Sequence, residues 1–276
     1  AGMAVYSAHT NLDAAPGGTN DRLAEAAGLV DARVIVPVVE ERLLKLAVFV
    51  PASHVEAVRQ ALDDAGAGAI GNYSGCTFRS PGVGTFRCGP NTRPVRGRPG
   101  SFEEAEEYRL ETVFGEGLRE VVIGAMLSAH PYEEVAYDIY ELKNKGRIYG
   151  LGLAGKLGDG QTTGTLAAKL ARATGSTMAQ YSGRPNRRVT RAAVWAGAGA
   201  PVGELVGADV CEVLITGELS YHDVETLRDY RIEAITLGHG FSEELALRPL
   251  AARLRGLLPG VGFKVLTRGR ISMRNV

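Results

Sequence analysis

The fold of this chain is decided by the stretch Tyr6-Ser7-Ala8-His9-Thr10-Asn11-Leu12-Asp13, which is followed by a Pro-Gly-Gly break at residues 16–18. Residues 4–6 are apolar, and the run then ends abruptly in imidazole, amide and carboxylate groups. This pattern predicts a strand at residues 4–6 that delivers polar side chains at its carboxyl end, where open α/β sheets place their ligands. A second such stretch, Ile235-Thr236-Leu237-Gly238-His239, lies near the far end of the chain. We therefore expect the intervening chain to bring the two ends together.

The two outer segments of the chain predict an α/β domain with a mostly parallel sheet. In the first segment a helix at 20–28 follows the opening motif, and Pro37 marks residues 34–39 as an edge strand or connector. In the second segment a glycine-rich connector leads to alternating strands and helices. The predicted strands there are residues 189–196, 211–216, 232–237 and 262–267, and the helices lie near 165–173, 202–206, 221–230 and from 242. Such alternation indicates helical crossovers, so residues 1–42 and 146–276 should form one domain.

Residues 43–145 predict an insertion of a different class. The order of elements is β-α-β-β-α-β, which is typical of a ferredoxin-like α+β module. The predicted strands are residues 46–51, a hairpin-like pair around 81–84, 107–114 and 135–140, and the predicted helices are 55–65 and 116–129. Ser53 and Glu56 form a capping-box pattern at the start of the first helix. The fold class is therefore an α/β domain interrupted by an α+β insertion.

Composition and charge narrow the class of protein. The chain has 276 residues, 45% of them hydrophobic, and a formal net charge of zero, so nothing favours nucleic acid or an anionic membrane as partner. No apolar run is long enough to span a bilayer, and no signal-peptide pattern is present. The three cysteines form no CxxC pair; a bridge between Cys76 and Cys88 is conceivable, but free thiols in a reducing cytoplasm are favoured.

Polar side chains follow two predicted strands at opposite ends of the α/β domain, His9 with Asp13 and His239 with Glu243. Parallel strands place their carboxyl ends at one edge of a sheet, so these side chains should converge. His239 and Glu243 are four residues apart and share one face if a helix begins between them. Neutral imidazole beside carboxylates suits Zn, Mn or Fe. The alternative is that the histidines are hydrogen-bonding residues of strand ends and Glu243 is a charge at a helix start.

Three further stretches are ambiguous. Glu218 and His222, after the strand at 211–216, could orient a metal ligand, although an exposed loop acid and a helix-start histidine are favoured. The stretch Gly197-Ala198-Gly199 could approach an anion, although a tight turn is the commoner structure. The stretch His130-Pro131-Tyr132-Glu133-Glu134 could line a small-ligand pocket, although a structural turn is favoured.

Several long motifs occur in order along essentially the whole chain. They are residues 6–13, 17–21, 216–223 and 238–243 in the outer segments, and residues 71–76, 82–86 and 130–134 in the insertion. With these motifs the chain resembles the Nif-three-like dinuclear metal-centre family, whose members are also called GTP cyclohydrolase 1 type 2 homologues. The motifs of the insertion resemble the PII/CutA-like middle domain of that family.

The resemblance implies a ring-shaped homohexamer, a trimer of dimers, with a two-metal site that faces an interior cavity. Matched residue by residue, Asp13, His239 and Glu243 fall on metal-ligand positions, with Glu243 as the bridge. His9 and His222 fall on polar positions beside the site. The family carries an upstream His-His-Pro motif, and this sequence contains no His-His pair, so we expect that segment to be missing. One or two divalent ions per chain are expected, Zn, Mn or Fe.

Two functions from different classes follow from these expectations. The first is a metal-dependent hydrolase, in which the ion activates water and His9 or His222 transfers protons. The cyclohydrolase name points to a purine nucleotide as substrate. The second is a non-enzymatic metal-binding oligomer, in which the PII-like insertion senses a small ligand. The clustered acid and base residues favour the first function, and the lack of a His-His pair favours the second.

Overall fold

The computed structural model describes residues 2–91, 95, 97–158 and 160–267. The chain divides into two compact units, Ala1–Val39 with Ile148–Val276, and Glu40–Arg147. We call the first the outer unit and the second the inserted unit. The domain boundaries predicted from the sequence, after residues 42 and 145, differ by a few residues from these limits, which fall after residues 39 and 147.

The elements of both units are numbered here in chain order. The strands are β1 Leu29–Glu40, β2 Leu43–Pro51, β3 Thr77–Arg87, β4 Phe102–Gly115, β5 Tyr137–Leu142, β6 Ile148–Leu157, β7 Gln180–Tyr181, β8 Arg191–Trp195, β9 Val213–Thr216 and β10 Glu233–Thr236. The α-helices are α1 Thr10–Ala14, α2 Thr19–Ala27, α3 Val55–Asp64, α4 Arg119–Ala129, α5 Thr163–Thr174, α6 Val202–Ala208, α7 Tyr221–Asp229, α8 His239–Glu243 and α9 Leu247–Leu257.

The outer unit contains a six-stranded sheet in the order β1-β6-β8-β9-β10-β7. The neighbours β8, β9 and β10 are parallel, whereas β6 pairs with β8 and β7 pairs with β10 in antiparallel fashion. The sheet is therefore mixed, and the prediction of a mostly parallel sheet holds only for its centre. The strand around Pro37 lies at the sheet edge, as predicted, where a missing backbone N–H is tolerated.

Alternating side chains of the central strands build a core on each face of this sheet. Ile215 of β9 belongs to a cluster with Leu23 of α2 and Leu166 of α5. The intervening Leu214 belongs to a second cluster, with Leu205 of α6 and Leu227 of α7. Because successive side chains of a strand point to opposite faces, a fully apolar strand such as β9 needs helices on both sides. This arrangement leaves the carboxyl ends of the parallel strands open for polar side chains.

Two predicted strands of the outer unit are wrong, and two strands, β6 and the short β7, are missed. Residues 2–9 and 261–267 form no strand, and Val5 and Tyr6 are highly exposed. A β-strand is defined by backbone hydrogen bonds to a neighbouring strand. These two segments pair with no strand in the part of the chain that the structure describes. Conversely, the glycine-rich stretch predicted to be a connector is β6. A Cβ atom on Gly150 would overlap the backbone of β1, and one on Gly152 would lie 2.5 Å from the ring of Trp195.

The inserted unit is a four-stranded antiparallel sheet in the order β3-β4-β2-β5, covered on one face by α3 and α4. Its core contains Leu46 of β2, Val58 and Leu62 of α3, and Val122 and Met126 of α4. The order of elements along the chain is the predicted one, β-α-β-β-α-β.

Two local predictions in the inserted unit are wrong. The expected hairpin at residues 81–84 is the middle of β3, an edge strand that accommodates Pro81 opposite Tyr108. The expected capping box is not formed, because α3 has His54 at its N-cap without a side-chain cap bond. The hydroxyl of Ser53 instead contacts His54 Nδ1 at 2.9 Å.

Two sequence expectations concern the cysteines and membrane-spanning segments. Cys76, Cys88 and Cys211 are not in disulfides, so no Cys76–Cys88 bridge is formed. Burial raises the pKa of Cys211 to about 12, which makes its thiol unreactive at neutral pH. Among the residues that the structure describes, no helix combines the length and the apolar character that a bilayer crossing requires.

Replacing Gly150 with alanine should destabilise the outer unit by about 1–3 kcal/mol, because the added methyl group overlaps the backbone oxygen of Val36 in β1. The measurement is urea unfolding followed by the fluorescence of Trp195, the single tryptophan, which lies in β8. The control is Gly158→Ala, just after β6, where an added Cβ meets nothing within 4 Å. Equal stability of the two variants would contradict the close packing of β6 against β1.

Candidate functional site

The amino-terminal side of the site is positioned by a buried amide. Asp13 lies in α1, and its carboxylate accepts a hydrogen bond from the hydroxyl of Thr19. The side chain of Asn20, which is only 3% exposed, donates to the carbonyl of Asp13 at 3.0 Å and accepts from the amide of Ala196 at 2.9 Å. Because Ala196 directly follows β8, Asn20 fixes α1 and α2 to the carboxyl end of a central strand.

The carboxy-terminal side of the site is the short helix α8, which follows β10. His239 begins this helix and Glu243 ends it, so the two side chains share one face. His239 Nε2 lies 3.2 Å from Glu243 Oε1, and His239 Nδ1 lies 3.5 Å from Glu218 Oε2. The imidazole therefore stands between two carboxylates that come from the ends of neighbouring parallel strands.

Gly197 lies directly beneath this pair of side chains. Its amide donates to the hydroxyl of Ser242 at 2.9 Å, and its carbonyl accepts from the amide of Glu218 at 3.0 Å. A Cβ atom at Gly197, where φ is +73°, would lie 2.6 Å from Glu243 Oε1 and 3.3 Å from His239 Nε2. The strand-end glycine thus makes room for both functional groups. Sequence reasoning noted the glycine only as a weak anion signal.

The two ends of the chain meet at this site, where α2 contacts α8. Burial raises the pKa of Glu243, and the negative charge of Asp13 raises it further. The neighbouring His239 and the imidazole of His9 act in the opposite direction. Asp13 and His9 are therefore close enough for their charges to act on Glu243. The structure places these four residues at one edge of the sheet. The predicted reason is wrong for His9 and Asp13, because residues 2–9 form no strand, and Asn20 instead ties α1 to the end of β8.

His222 and Glu218 differ in their placement. His222 is 90% exposed, and its Nδ1 lies 3.5 Å from Glu225 on its own helix α7. Its other contact is an edge-to-face approach to the ring of Tyr221. Glu218 is an exposed loop acid, as the sequence favoured, and its Oε2 also lies 3.5 Å from His239 Nδ1. The place of Glu218 at the site could have been predicted from its position just after β9, a central strand of the sheet.

The side chains at this edge carry ligand atoms that suit a divalent transition metal, but they are not arranged as a preformed metal site. Imidazole nitrogen and carboxylate oxygen are the ligands that Zn, Mn and Fe accept. Within the described ranges, however, no group of three or more His, Cys, Asp or Glu side chains is placed to hold a metal ion. His239 and Glu243 supply two potential metal ligands that are in contact with each other. A third ligand side chain has to move before three of them can bind one ion.

His130 in the inserted unit is a structural residue, as the sequence favoured. It is buried, and its Nδ1 accepts from the amide of Tyr132 at 3.1 Å. The proton must therefore be on Nε2, which lies 3.0 Å from the carbonyl of Phe49 and donates to it. Burial is the main reason why the pKa of His130 lies below its ordinary value. The neutral ring joins β2 to the loop that precedes β5.

Replacing Gly197 with alanine should displace the side chains of His239 and Glu243, because the added Cβ occupies their space. The matched control is Gly199→Ala, which has a similar φ of +78° but meets nothing within 4 Å. Both variants should lose about 1 kcal/mol to left-handed backbone strain. Only Gly197→Ala should shift the imidazole nitrogen resonances of His239 in NMR spectra. Unchanged resonances in that variant would contradict the site geometry.

Acidification should destabilise the inserted unit through His130. Because the folded-state pKa is lowered, the unfolded chain takes up a proton below the ordinary value of 6.5 that the folded chain does not. Between pH 7.5 and 5.5 the free energy of opening should fall by up to about 1.4 kcal/mol from this residue. Amide hydrogen exchange of β2 and β4, corrected for the pH dependence of the intrinsic exchange rates, measures this free energy of opening. His130→Asn should flatten the slope, whereas His222→Asn, an exposed control, should keep it.

Comparison with known proteins identifies the family. The family model of Duf34/NIF3 (NGG1p interacting factor 3) matches residues 1–269. A protein of Halalkalibacterium halodurans named GTP cyclohydrolase 1 type 2 homolog is 42% identical over 220 residues, which is 80% of this chain and 59% of that protein. A protein of the same name from Bacillus subtilis is 37% identical over 263 residues, 95% of this chain and 70% of that protein.

A solved structure agrees with these matches. The crystal structure of a Bacillus cereus protein related to NIF3 superposes with a TM-score of 0.72 and 39% sequence identity, covering 90% of this chain and 66% of that chain. The present chain thus spans about 60% of the length of the Halalkalibacterium relative and two thirds of the Bacillus cereus protein. Its mixed α/β fold with two sheets is consistent with that structure. The chain belongs to the Duf34/NIF3 family.

Proposed function

We propose that the edge of the outer unit binds one or two divalent metal ions, Zn, Mn or Fe, through Asp13, His239 and Glu243. We further propose that the protein is a metal-dependent hydrolase of the class for which its relatives are named, the GTP cyclohydrolase 1 type 2 homologues. The observation that carries the proposal is the position of His239 between Glu218 and Glu243, at an edge where the charge of Asp13 also acts.

Electrostatics support a cation at this edge. Asp13 and Glu243 bring two like charges together, and Glu218 adds a third carboxylate on the other side of His239. Like charges held close together at a half-buried position repel each other, and a divalent cation turns that repulsion into attraction. Asn20 and Ser242, which bond backbone groups beneath the site, would keep the ligands in place as second-sphere groups do in metal sites.

A bound divalent ion would supply Lewis acidity, which makes water a nucleophile near neutral pH. The protein would supply the proton transfers, and we assign these to His9 and His222. His9 is supported by the effect of its charge on Glu243. The assignment of His222 rests on its place after β9 in the sequence, since its contacts are with α7. Glu218 would orient His239 by holding Nδ1, which leaves Nε2 for the ion.

The finer points of class and assembly belong to the same proposal. The inserted unit is proposed to be a ferredoxin-like, PII/CutA-like module, supported by its antiparallel sheet order and β-α-β-β-α-β sequence of elements. The assembly is proposed to be a homohexamer, a trimer of dimers, and a purine nucleotide is the proposed substrate class. The compartment is proposed to be the reducing cytoplasm, which is supported by the three cysteines that form no disulfide.

A non-enzymatic metal-binding scaffold is the alternative function. It uses the same ligands, and it is favoured by the lack of a His-His pair in the sequence. Turnover distinguishes the two functions, whereas metal binding is common to both.

Metal binding is tested by Glu243→Gln. Titration of the wild-type protein with Zn²⁺ or Mn²⁺ should raise the melting temperature, since a ligand at about 100 times its Kd stabilises by about 2.7 kcal/mol. Glu243→Gln should weaken affinity at least about tenfold. The control is Glu225→Gln, which also removes a carboxylate that contacts a helical histidine, His222. Equal affinity of the two variants would place any bound metal elsewhere.

Turnover is tested with GTP and a panel of phosphoesters at full metal loading. Wild-type protein should hydrolyse at least one of these substrates, and Glu243→Gln should be slower by about a hundredfold or more, because a lost ligand removes the activating ion. Glu204→Gln, which removes an exposed carboxylate of α6, controls for the general loss of a carboxylate. Metal-loaded wild type that is as inactive as Glu243→Gln on every substrate would refute the hydrolase and leave the scaffold.

A further inference from the structure

The inserted unit contains a cavity of about 430 Å³. Its walls are the end of β2 at Phe49, residues 84–88 of β3 and its end, Glu107 of β4, and the loop at residues 132–134. Concave sites of several hundred cubic ångströms lined by aromatic residues and a few polar groups are typical of small-molecule binding. None of the residues of the candidate metal site takes part in it.

Three aromatic rings, Phe49, Phe86 and Tyr132, supply the apolar part of the lining. The position of Tyr132 is fixed by its own amide, which donates to His130 Nδ1, and by the edge-to-face contact of its ring with the imidazole at 5.0 Å. The opposite nitrogen of His130 binds the carbonyl of Phe49. One buried histidine therefore sets the spacing of two walls of the cavity, so this part of the pocket is formed before any ligand arrives.

The charged groups of the lining are mainly acidic. Among the described residues of the lining, Glu107, Glu133 and Glu134 contribute three carboxylates and Arg87 contributes one guanidinium. A second guanidinium, that of Arg109, lies 5.9 Å from the centre of the Phe49 ring. The guanidinium of Arg87 lies 5.6 Å from the ring of Phe102 and donates to the carbonyl of Gly100 at 3.3 Å, so it is directed along the strand. An excess of carboxylates beside aromatic faces attracts a cation and repels phosphate or carboxylate ligands.

Glu107 is the acidic group most closely built into the cavity. It lies on the strand next to Gly84, and a Cβ atom at position 84 would overlap its carboxylate. The glycine therefore provides the space in which this carboxylate lies. Glu106, the preceding residue of β4, is exposed and has its side chain on the opposite face of the sheet.

We propose that this cavity binds a small organic cation, a protonated amine attached to an apolar or aromatic body. The ammonium group binds the carboxylate of Glu107, and the body packs between the rings of Phe49, Phe86 and Tyr132. A bare metal ion fits poorly, because the described residues contain no group of three or more His, Cys, Asp or Glu side chains placed to hold one. An anionic ligand is disfavoured by the three carboxylates. This proposed binding site is separate from the proposed metal site, and the proposal does not depend on metal binding.

The test uses three probes that differ only in charge: 2-phenylethylamine, 2-phenylethanol and phenylacetate. They are titrated into the full chain without added metal, and binding is followed by backbone amide NMR. The amine should bind saturably, shift the amides of residues 84–88 and 132–134, and bind at least about tenfold more tightly than the alcohol. Phenylacetate should bind most weakly. Equal affinities for the three probes, tighter binding of phenylacetate, or shifts confined to the outer unit would overturn the proposal.

A pair of variants locates the charge that selects the amine. Glu107→Gln keeps the shape of the side chain and should reduce amine affinity about tenfold while leaving the affinity for the alcohol unchanged. Glu106→Gln removes the same charge from the other face of β4 and should retain wild-type amine affinity. The spectrum of each variant without ligand reports whether it folds. If both variants bind the amine as the wild type does, Glu107 is not the recognition group and the proposal is wrong.

Discussion

The candidate site depends on one buried side chain, the amide of Asn20. It donates a hydrogen bond to the carbonyl of Asp13 in α1 and accepts one from the amide of Ala196 at the end of β8. Asn20 and Ala196 are 176 positions apart in the sequence. Both partners are backbone groups, and a buried backbone group left without a partner costs about 1–3 kcal/mol. The amino-terminal helices are therefore held at the carboxyl ends of the parallel strands and not elsewhere on the sheet. Asp13 and His9 reach Glu243 for that reason.

Backbone hydrogen bonds, rather than side-chain packing, organise the other half of the site. Gly197 receives and donates bonds that join the ends of β8 and β9 to α8, and its missing side chain leaves space for the imidazole and carboxylate above. The resulting edge places His239 between the carboxylates of Glu218 and Glu243, and the charge of Asp13 acts on Glu243. Such a cluster costs free energy in an empty protein, and natural sites accept that cost where a ligand of opposite charge offsets it. This is the physical basis for assigning the edge a cation.

The sequence was most informative where side chains repeat with a regular period. The helix α2 and the strands β9 and β10 were predictable because Leu23, Ile215 and Ile235 stand among apolar neighbours at regular spacing. The approach of Glu218 to His239 follows from the rule that parallel strands end at a common edge, whereas Asp13 follows no strand and is held at this edge by Asn20. Both inferences use only local pattern and topology.

Prediction from the sequence failed for segments whose secondary structure depends on contacts with parts of the chain that are distant in sequence. The strand β6 is rich in glycine, so it has no side-chain period, and it becomes a strand because β1 and Trp195 approach closer than any side chain would permit. Residues 4–6 have a strand-like pattern, yet they have no pairing partner in the described part of the chain. Pro81 indicated a turn, whereas at a sheet edge it is compatible with a continuous strand. In each case the deciding contact is distant in sequence.

The central claim is that side chains from both ends of the chain bind the same cation. X-ray diffraction from crystals grown with Zn²⁺, with anomalous differences measured on both sides of the zinc absorption edge, tests it most directly. The account predicts an anomalous peak within bonding distance of Asp13, His239 and Glu243. A peak that touches only one end of the chain, or no peak at this edge in zinc-loaded protein, would contradict it.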